Sequence, residues 1–237
     1  MVDKSESGLA EPARTGKRAA KAVAKEQEKP YHHGSLPQAL LRAAEVVLKR
    51  DGIGGLSLRA IAREAGVSHT APQHHFGDTA GVLSELAADG FLRLSASIAN
   101  SARDVQGTSE RRRAIARGYI AFAKNNPDLM RLMSRGEMFD AHRPSLVEAR
   151  RTAGLALAGV FDDAPSAPSA GRHTFAPMDA SRAVALTAAW AYVHGLSLLL
   201  IDGRLDVLAA AAEGIGNAEE LVMAAIDHVQ LNIGQAA

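Results

Sequence analysis

A single glycine between two short helical patterns is the feature that most constrains what this chain can fold into. From Leu58 onward, apolar residues recur at the i, i+3, i+4 and i+7 positions of a helix. Ser57 precedes this run and is a residue type that caps helix N-termini. Gly66 follows the run, and glycine accepts the left-handed backbone that a tight turn out of a helix requires. The pattern therefore predicts a short helix that ends in a sharp turn.

A second short helix must follow this turn almost at once. Pro72 is tolerated only in the first turn of a helix, so this helix is predicted to begin near His69 or Thr70, with Ser68 as its cap. Phe76 is predicted to close it. Two short helices joined by so tight a turn have the arrangement of a helix-turn-helix.

The rest of the chain has helical patterns only, and it contains no persistent strand pattern and no internal repeat. A capping box at 35–38 precedes a first helix, which the glycines of 51–55 stop. Asp78 and Asn217 are predicted caps of later helices. Those helices are predicted over about 79–103, 109–124, from Pro127, after Pro144, and over 179–202 and 218–233, with a loop over 162–177. The predicted fold is all-α.

Three segments are predicted along the chain. Residues 1–30 are charged and poor in bulky apolar groups, so they are expected to form a disordered basic arm. Residues 31–78 are expected to form a helix-turn-helix domain of three helices, and residues 79–237 a C-terminal helical domain. The basic residues of the N-terminal part outnumber its acidic residues, which is a weak indication of nucleic-acid binding.

Composition narrows the class of protein further. The chain has 47% hydrophobic and 22% charged residues, which is typical of a soluble globular protein. It has no cysteine, which excludes disulfides, thiolate metal sites and a cysteine nucleophile. No signal peptide is evident, and a cytoplasmic location is expected. Residues 183–201 are long and apolar enough for a bilayer, but their alanine content and the central His194 favour a helix buried in a bundle.

A helix-turn-helix places its second helix in the major groove of DNA and braces it with the first. Hydroxyls and helix N-termini can donate to phosphates, Gln73 can pair with adenine, and Arg59 can reach guanine or phosphate. Histidines can donate to either target, more strongly when they are protonated. The residues predicted to contact DNA are Ser57, Arg59, Ser68, His69, Thr70, Gln73, His74 and His75.

The run GLSLRAIAREAGVS over 55–68, followed by His75-Phe76, strongly resembles the TetR family of transcriptional repressors. Four further segments look like a subgroup of this family that has a Trp-His-Gly signature in its C-terminal domain. They are YHHGSL over 31–36, SHTAP over 68–72, NPDLMRLM over 126–133, and Trp190 with His194-Gly195. The resemblance implies an N-terminal DNA-binding domain, a C-terminal ligand-sensing domain and a homodimer formed by the last two helices. It implies a repressor that binds a palindromic operator in double-stranded DNA.

Two residues depart from the family pattern. Gln73 stands where a tyrosine is usual, and Thr79 where a lysine is usual; both family residues commonly contact phosphate. The absence of the lysine is expected to lower the salt dependence of DNA binding by about one unit per half-site. The alternative is a TetR-like module that binds a ligand or a protein and has weakened DNA binding.

The C-terminal domain carries the candidate ligand site and dimer contact. Methionines with aromatic residues form an adaptable apolar wall, and His194 could orient a polar end of a small apolar or amphipathic ligand. The predicted wall comprises Tyr119, Phe122, Met130, Met133, Met138, Phe139, Trp190 and His194. These residues could equally be core. The predicted dimer stripe comprises Val222, Ala225, Ile226 and Val229, which could instead pack on the core of a single chain.

Metal-binding and catalytic functions find little support. The five histidines of the DNA-binding part, among nine in the chain, form no i, i+4 pair, and no nearby acidic residue completes a ligand set. No phosphate loop, dinucleotide fingerprint or nucleophile elbow is present. Neither a catalytic residue nor a cofactor is predicted. The mechanism expected is instead a population shift, in which a ligand favours one spacing of the recognition helices and releases DNA.

Overall fold

The computed structural model describes residues 36–161 and 180–229, which contain helices and turns and no strand. Four helices make up the first part: α1 Leu36–Asp51, α2 Leu58–Ala65, α3 Ala71–Phe76 and α4 Thr79–Ala102. Three follow it: α5 Thr108–Asn125, α6 Pro127–Met133 and α7 Pro144–Ala158. The last three are α8 Ala180–Ile201, α9 Asp206–Ala211 and α10 Ala218–His228. The all-α prediction is confirmed.

Helices α1 to α3 pack around side chains from each of them. Leu40, Val47 and Leu48 of α1 are almost fully buried, and they share one apolar core with Ile61 of α2 and Phe76 of α3. Burial of an aliphatic side chain stabilises a fold by about 1.5–3 kcal/mol. This core therefore holds α2 and α3 in a fixed mutual orientation.

Helix α4 is the longest, and it joins the first three helices to the rest. Asp78 caps its N-terminus as predicted, accepting a hydrogen bond from the Gly81 amide at 2.8 Å. Beyond that cap, α4 packs along α5 and α7, while α8 packs on α5 and α10. All ten helices fall within one compact unit, so the domain boundary at residue 78 stays a prediction.

The structure corrects three sequence-based predictions. Helix α3 begins at Ala71 without a side-chain cap, because the Ser68 hydroxyl bonds to Thr70 within the turn rather than to the helix. Helix α10 ends at His228, where Val229 takes an extended backbone, and not at residue 233. Helix α9 was not predicted; its six residues are too few for a periodic pattern to stand out. The arm over 1–30, the capping Ser35 and the loop over 162–177 lie outside the described residues.

Candidate nucleic-acid interface and effector site

The turn between α2 and α3 has the geometry predicted for it. Ser57 Oγ accepts a hydrogen bond from the Ala60 amide at 3.2 Å and so caps α2. Gly66 lies in the left-handed region at φ 68°, and the Val67 amide donates to the Ala62 carbonyl at 3.0 Å. A side chain at position 66 would make this backbone unfavourable. The turn is therefore determined locally by its glycine.

The buried faces of α2 and α3 determine which of their side chains face the solvent. Ile61, Ala62, Pro72 and Phe76 are buried, and Val67 packs against the same core. All eight residues predicted to contact DNA are exposed: Ser57, Arg59, Ser68, His69, Thr70, Gln73, His74 and His75. The structure therefore leaves all eight accessible on α2, α3 and the segments that flank them.

Sequence reasoning missed one basic residue of this surface. Arg63 is exposed and follows Arg59 by one helical turn, so the two share a face of α2. Neither guanidinium has a hydrogen bond or ion pair with another residue in the described parts of the chain. Arg50, by contrast, is paired with Glu64 at 2.7 Å and with Asp51 at 3.0 Å. The i, i+4 spacing of Arg59 and Arg63 on one helix is the sequence signal that could have identified Arg63.

The histidines of this surface lie close to one another in space. The rings of His74 and His75 are 5.5 Å apart in an edge-to-face arrangement, and His75 is 6.3 Å from the Phe76 ring. Among the residues that the structure describes, no group of three or more histidine or acidic side chains is placed to hold a metal ion. His74 and His75 are exposed, so an external partner can reach them.

A cluster of polar contacts connects the recognition helix α3 to the segment before α7. Arg143 Nε pairs with Glu85 Oε1 of α4 at 2.5 Å, and Arg143 Nη1 donates to the Phe76 carbonyl at 3.4 Å. Ser145 Oγ also donates to Glu85, at 2.8 Å. Arg143 and Glu85 are both partly buried, where an ion pair is less screened than at the surface. A shift of α7 would therefore be felt at the end of α3.

Tyr119 and His194 form a polar pair inside the C-terminal helices. The Tyr119 hydroxyl lies 2.9 Å from His194 Nδ1, joining α5 to α8. Burial raises the pKa of Tyr119 to about 12, and burial lowers the pKa of His194. Both groups are therefore neutral at pH 7. The Trp190 ring is tilted against His194, with ring centroids 6.3 Å apart.

The other predicted wall residues have different surroundings. Phe122, Met130, Met133 and Phe139 are buried in the core, and Met138 is partly buried against it. Trp190 has 54% of its surface exposed, although it was predicted to line a pocket. The structure thus groups Tyr119, Trp190 and His194. A separate pocket of about 220 Å³ is lined by Lys124, Pro127, Leu200, Ile201 and Glu219.

Helix α8 is apolar and covered only in part, with seven of its apolar residues partly buried against the core. Only Ala189, Val193 and Ser197 are buried along it, and Val184 is 69% exposed. A Cβ atom at Gly195 would meet nothing within 4 Å. By length and composition alone, this helix could cross a membrane. Its opposite edge packs on α5 and α10, so one face is left without a covering element in the described residues.

The predicted dimer stripe on α10 is divided between core and surface. Val222 and Ile226 are buried within the chain, whereas Ala225 and Val229 are partly exposed. The Tyr192 hydroxyl of α8 donates to the Ala225 carbonyl at 2.8 Å. The buried members of the stripe therefore hold α10 against its own chain.

Two family profiles match the chain. Residues 40–86 match the profile of bacterial regulatory proteins of the tetR family. Residues 112–227 match that of the tetracyclin repressor-like C-terminal domain. The first match spans the helix-turn-helix, and the second spans the Tyr119–His194 pair. No protein with a curated description matches the chain.

Solved structures agree with these profiles. A protein of unknown function from Rhodococcus sp. RHA1 is 37% identical, covers 84% of this chain and 96% of its own, and superposes with a TM-score of 0.64. The transcriptional regulator FadR from Bacillus subtilis, solved with stearoyl-CoA, is 11% identical, with coverages of 80% and 95% and a TM-score of 0.57. A tetR-family regulatory protein from Rhodococcus RHA1 is 15% identical, with coverages of 81% and 93% and a TM-score of 0.54. The latter two similarities concern the fold alone.

Proposed function

The chain belongs to the TetR family of bacterial regulatory proteins, and we propose that it is a ligand-responsive repressor of transcription in the cytoplasm. It binds a palindromic operator as a homodimer, and a small molecule releases it. One observation carries the DNA-binding part of this proposal. Eight exposed polar side chains lie over a buried apolar scaffold whose turn is set by Gly66.

The exposed surface of α2 and α3 suits the chemistry of a DNA groove. Gln73 and the neighbouring histidines lie on α3, where they can address base edges and phosphates. Arg59 and Arg63 lie on α2, the helix that crosses the backbone in such a motif. We propose that these two arginines supply the phosphate contacts that the family obtains from a tyrosine and a lysine, where this chain has Gln73 and Thr79.

The uncovered face of α8 supports the homodimer. A long apolar helix exposed to water is unfavourable, and contiguous apolar surface on soluble proteins marks an interaction site. The open space beside Gly195 and the exposed Trp190 would accommodate a second copy of the chain. Because α10 buries Val222 and Ile226 in its own chain, we assign the dimer contact mainly to α8, with Ala225 and Val229 at its margin.

The Tyr119–His194 pair supports ligand sensing. A buried phenol and a neutral imidazole beside an indole ring provide one oriented polar contact in apolar surroundings, as small-molecule sites commonly do. The polar contacts of Arg143 and Glu85 then offer a route from α7 to the recognition helix. We also propose that a DNA-binding domain over 31–78 is followed by a ligand-binding domain over 79–237.

A titration of DNA binding against salt tests the proposal. The probe is a palindrome from the region upstream of the protein's own gene, followed by fluorescence anisotropy between 50 and 200 mM salt. We expect saturable binding, and R59Q and R63Q are each expected to lower the salt slope by about one unit per half-site. R50Q is the matched control, because Arg50 is already paired with acidic residues.

The same titration decides between the two candidate functions. If no binding occurs at the lowest salt concentration, the chain is the TetR-like module with weakened DNA binding, a possibility that Gln73 and Thr79 raise. If R50Q lowers the slope as much as R59Q and R63Q do, the assignment of phosphate contacts to α2 is wrong.

A further inference from the structure

Arg150 of α7 is held in place by two aromatic rings instead of by an acidic partner. Its Cζ atom lies 5.7 Å from the centroid of the Phe91 ring on α4 and 5.5 Å from that of Phe139, which precedes α7. Contacts at this distance attract a guanidinium through the charge distribution of the ring. Such contacts leave the N–H donors of the guanidinium free for a ligand.

Arg150 differs in this respect from every neighbouring arginine. Between Thr79 and Ala158, each other arginine has an ion pair or a hydrogen bond with a carboxylate, an amide or a backbone carbonyl. Three acidic residues of this part of the chain are engaged elsewhere: Glu85 with Arg143, Glu137 with Arg135, and Glu148 with Arg151. Asp140 Oδ1 accepts a hydrogen bond from the His142 amide. Arg150 is therefore a positioned, partly buried cation without an ion pair in the described residues.

Arg150 borders the apolar core through one member of the predicted wall. Phe139 belongs to that wall and also contacts Arg150. Met133 packs against α4 at Gly90, where a Cβ atom would come within 2.6 Å of its sulfur, next in sequence to Phe91. Gly136 lies beside the guanidinium, with its Cβ position 3.9 Å from Nη2. A cation bordering two phenylalanine rings suits a molecule with an apolar body and one anionic end.

We propose that Arg150 binds the anionic group of the effector, which is an amphipathic carboxylate or phosphate monoester. The planar guanidinium offers two parallel donors to either group. This inference rests on the proposed function for its biological meaning, because the ligand would act on DNA binding through α7. Arg150 and Arg143 both lie on that helix or at its cap, and Arg143 contacts the last carbonyl of the recognition helix.

Calorimetric titration of the full-length chain tests the assignment with decanoate, decyl phosphate and uncharged decanamide. We expect at least one of the two anions to bind ten- to a hundredfold more tightly than the amide, since charge-assisted hydrogen bonds contribute about 1.5–3 kcal/mol. R150Q should abolish this preference and R150K should retain only part of it. R151Q is the control and should preserve it, because Arg151 is paired with Glu148. F91L and F139L should weaken it while leaving the charge in place.

The outcomes separate this inference from the proposed function. Decanoate and decyl phosphate binding no more tightly than decanamide, or a preference that survives in R150Q, would overturn the inference. If R150Q lowers the melting temperature but keeps the preference, Arg150 merely covers two aromatic rings, and the inference is again overturned. Operator binding is measured separately without any ligand. A chain that prefers the anions but does not bind DNA would contradict only the proposed repressor.

Discussion

The helix-turn-helix and helix α8 present opposite kinds of surface to water. In α2 and α3 the apolar residues are buried or partly buried and the exposed ones are polar, as in a surface that binds a wet, charged partner such as DNA. In α8 the exposed residues include Val184 and Trp190, and only three of its residues are fully buried. The first region exposes polar side chains, whereas the second exposes apolar side chains that no element of the described residues covers. The two exposed surfaces therefore call for different partners.

Truncating one apolar side chain in each region should show the largest contrast. Ile61 is fully buried in the helix-turn-helix core, so I61A is expected to lower the free energy of unfolding by about 2–5 kcal/mol. V184A removes methyl groups from an exposed site and should change the free energy of unfolding of the monomer by less than about 0.5 kcal/mol. Chemical denaturation at a protein concentration where the chain is monomeric measures both. Equal losses would mean that α8 is covered within a single chain.

Substitutions on α8 should affect association more than folding. W190A is expected to weaken dimerisation about tenfold or more, because large aromatic residues often dominate interfaces. Analytical ultracentrifugation over a range of concentrations gives the dissociation constant. V147A is the control, since Val147 is 51% exposed near the start of α7. If W190A and V147A have the same dissociation constant as the unaltered chain, α8 is not the dimer contact.

Replacing the glycine in the turn between α2 and α3 should have a smaller effect on stability. G66A places a side chain on left-handed backbone and should destabilise the chain by about 1–2 kcal/mol. The control is G54A, because Gly54 has no positive φ and open space around its Cβ position. Thermal denaturation compares them. If G66A and G54A have equal melting temperatures, the glycine is not what sets the turn.

The Tyr119–His194 pair predicts the smallest effect, a dependence of stability on pH. Burial lowers the pKa of His194, so below its unfolded value of 6.5 the unfolded chain binds more protons than the folded one. The contribution of neutral His194 to the free energy of unfolding should therefore be fully present at pH 7. The free energy of unfolding should fall as the pH drops below 6.5. Denaturation curves at several pH values measure it, with H194Q as the variant that should remove the dependence in this window. If H194Q keeps the same dependence of the free energy of unfolding on pH, another group and not His194 causes that dependence.

Sequence reasoning reached further in the first region than in the second. Ser57, Gly66, Pro72 and Asp78 act through their own backbone or that of their neighbours, and such local rules can be read without a structure. Helix boundaries were accordingly correct to within a few residues there, apart from the cap assigned to Ser68. That hydroxyl found a nearer partner in Thr70.

In the C-terminal part the decisive contacts are distant in sequence. The stripe through Val222 and Ile226 predicts an apolar contact but not whether the same chain or a second one provides it. The exposure of Trp190 and the position of Arg150 over two rings depend on how α4, α7 and α8 pack. Arg143 reaches the recognition helix across many intervening residues. No local pattern carries such information.

The central claim is that the polar surface of α2 and α3 binds DNA while the apolar surface of α8 binds a second copy of the chain. The most direct test selects bound DNA from a random pool and then measures the mass of the complex that forms. We predict enrichment of a palindrome whose half-sites lie about 10–10.5 base pairs apart or a multiple of that spacing, occupied by two chains. W190A should reduce occupancy at low protein concentration. Enrichment of a non-palindromic sequence bound by one chain would contradict the account, and so would a pool left unenriched at low salt.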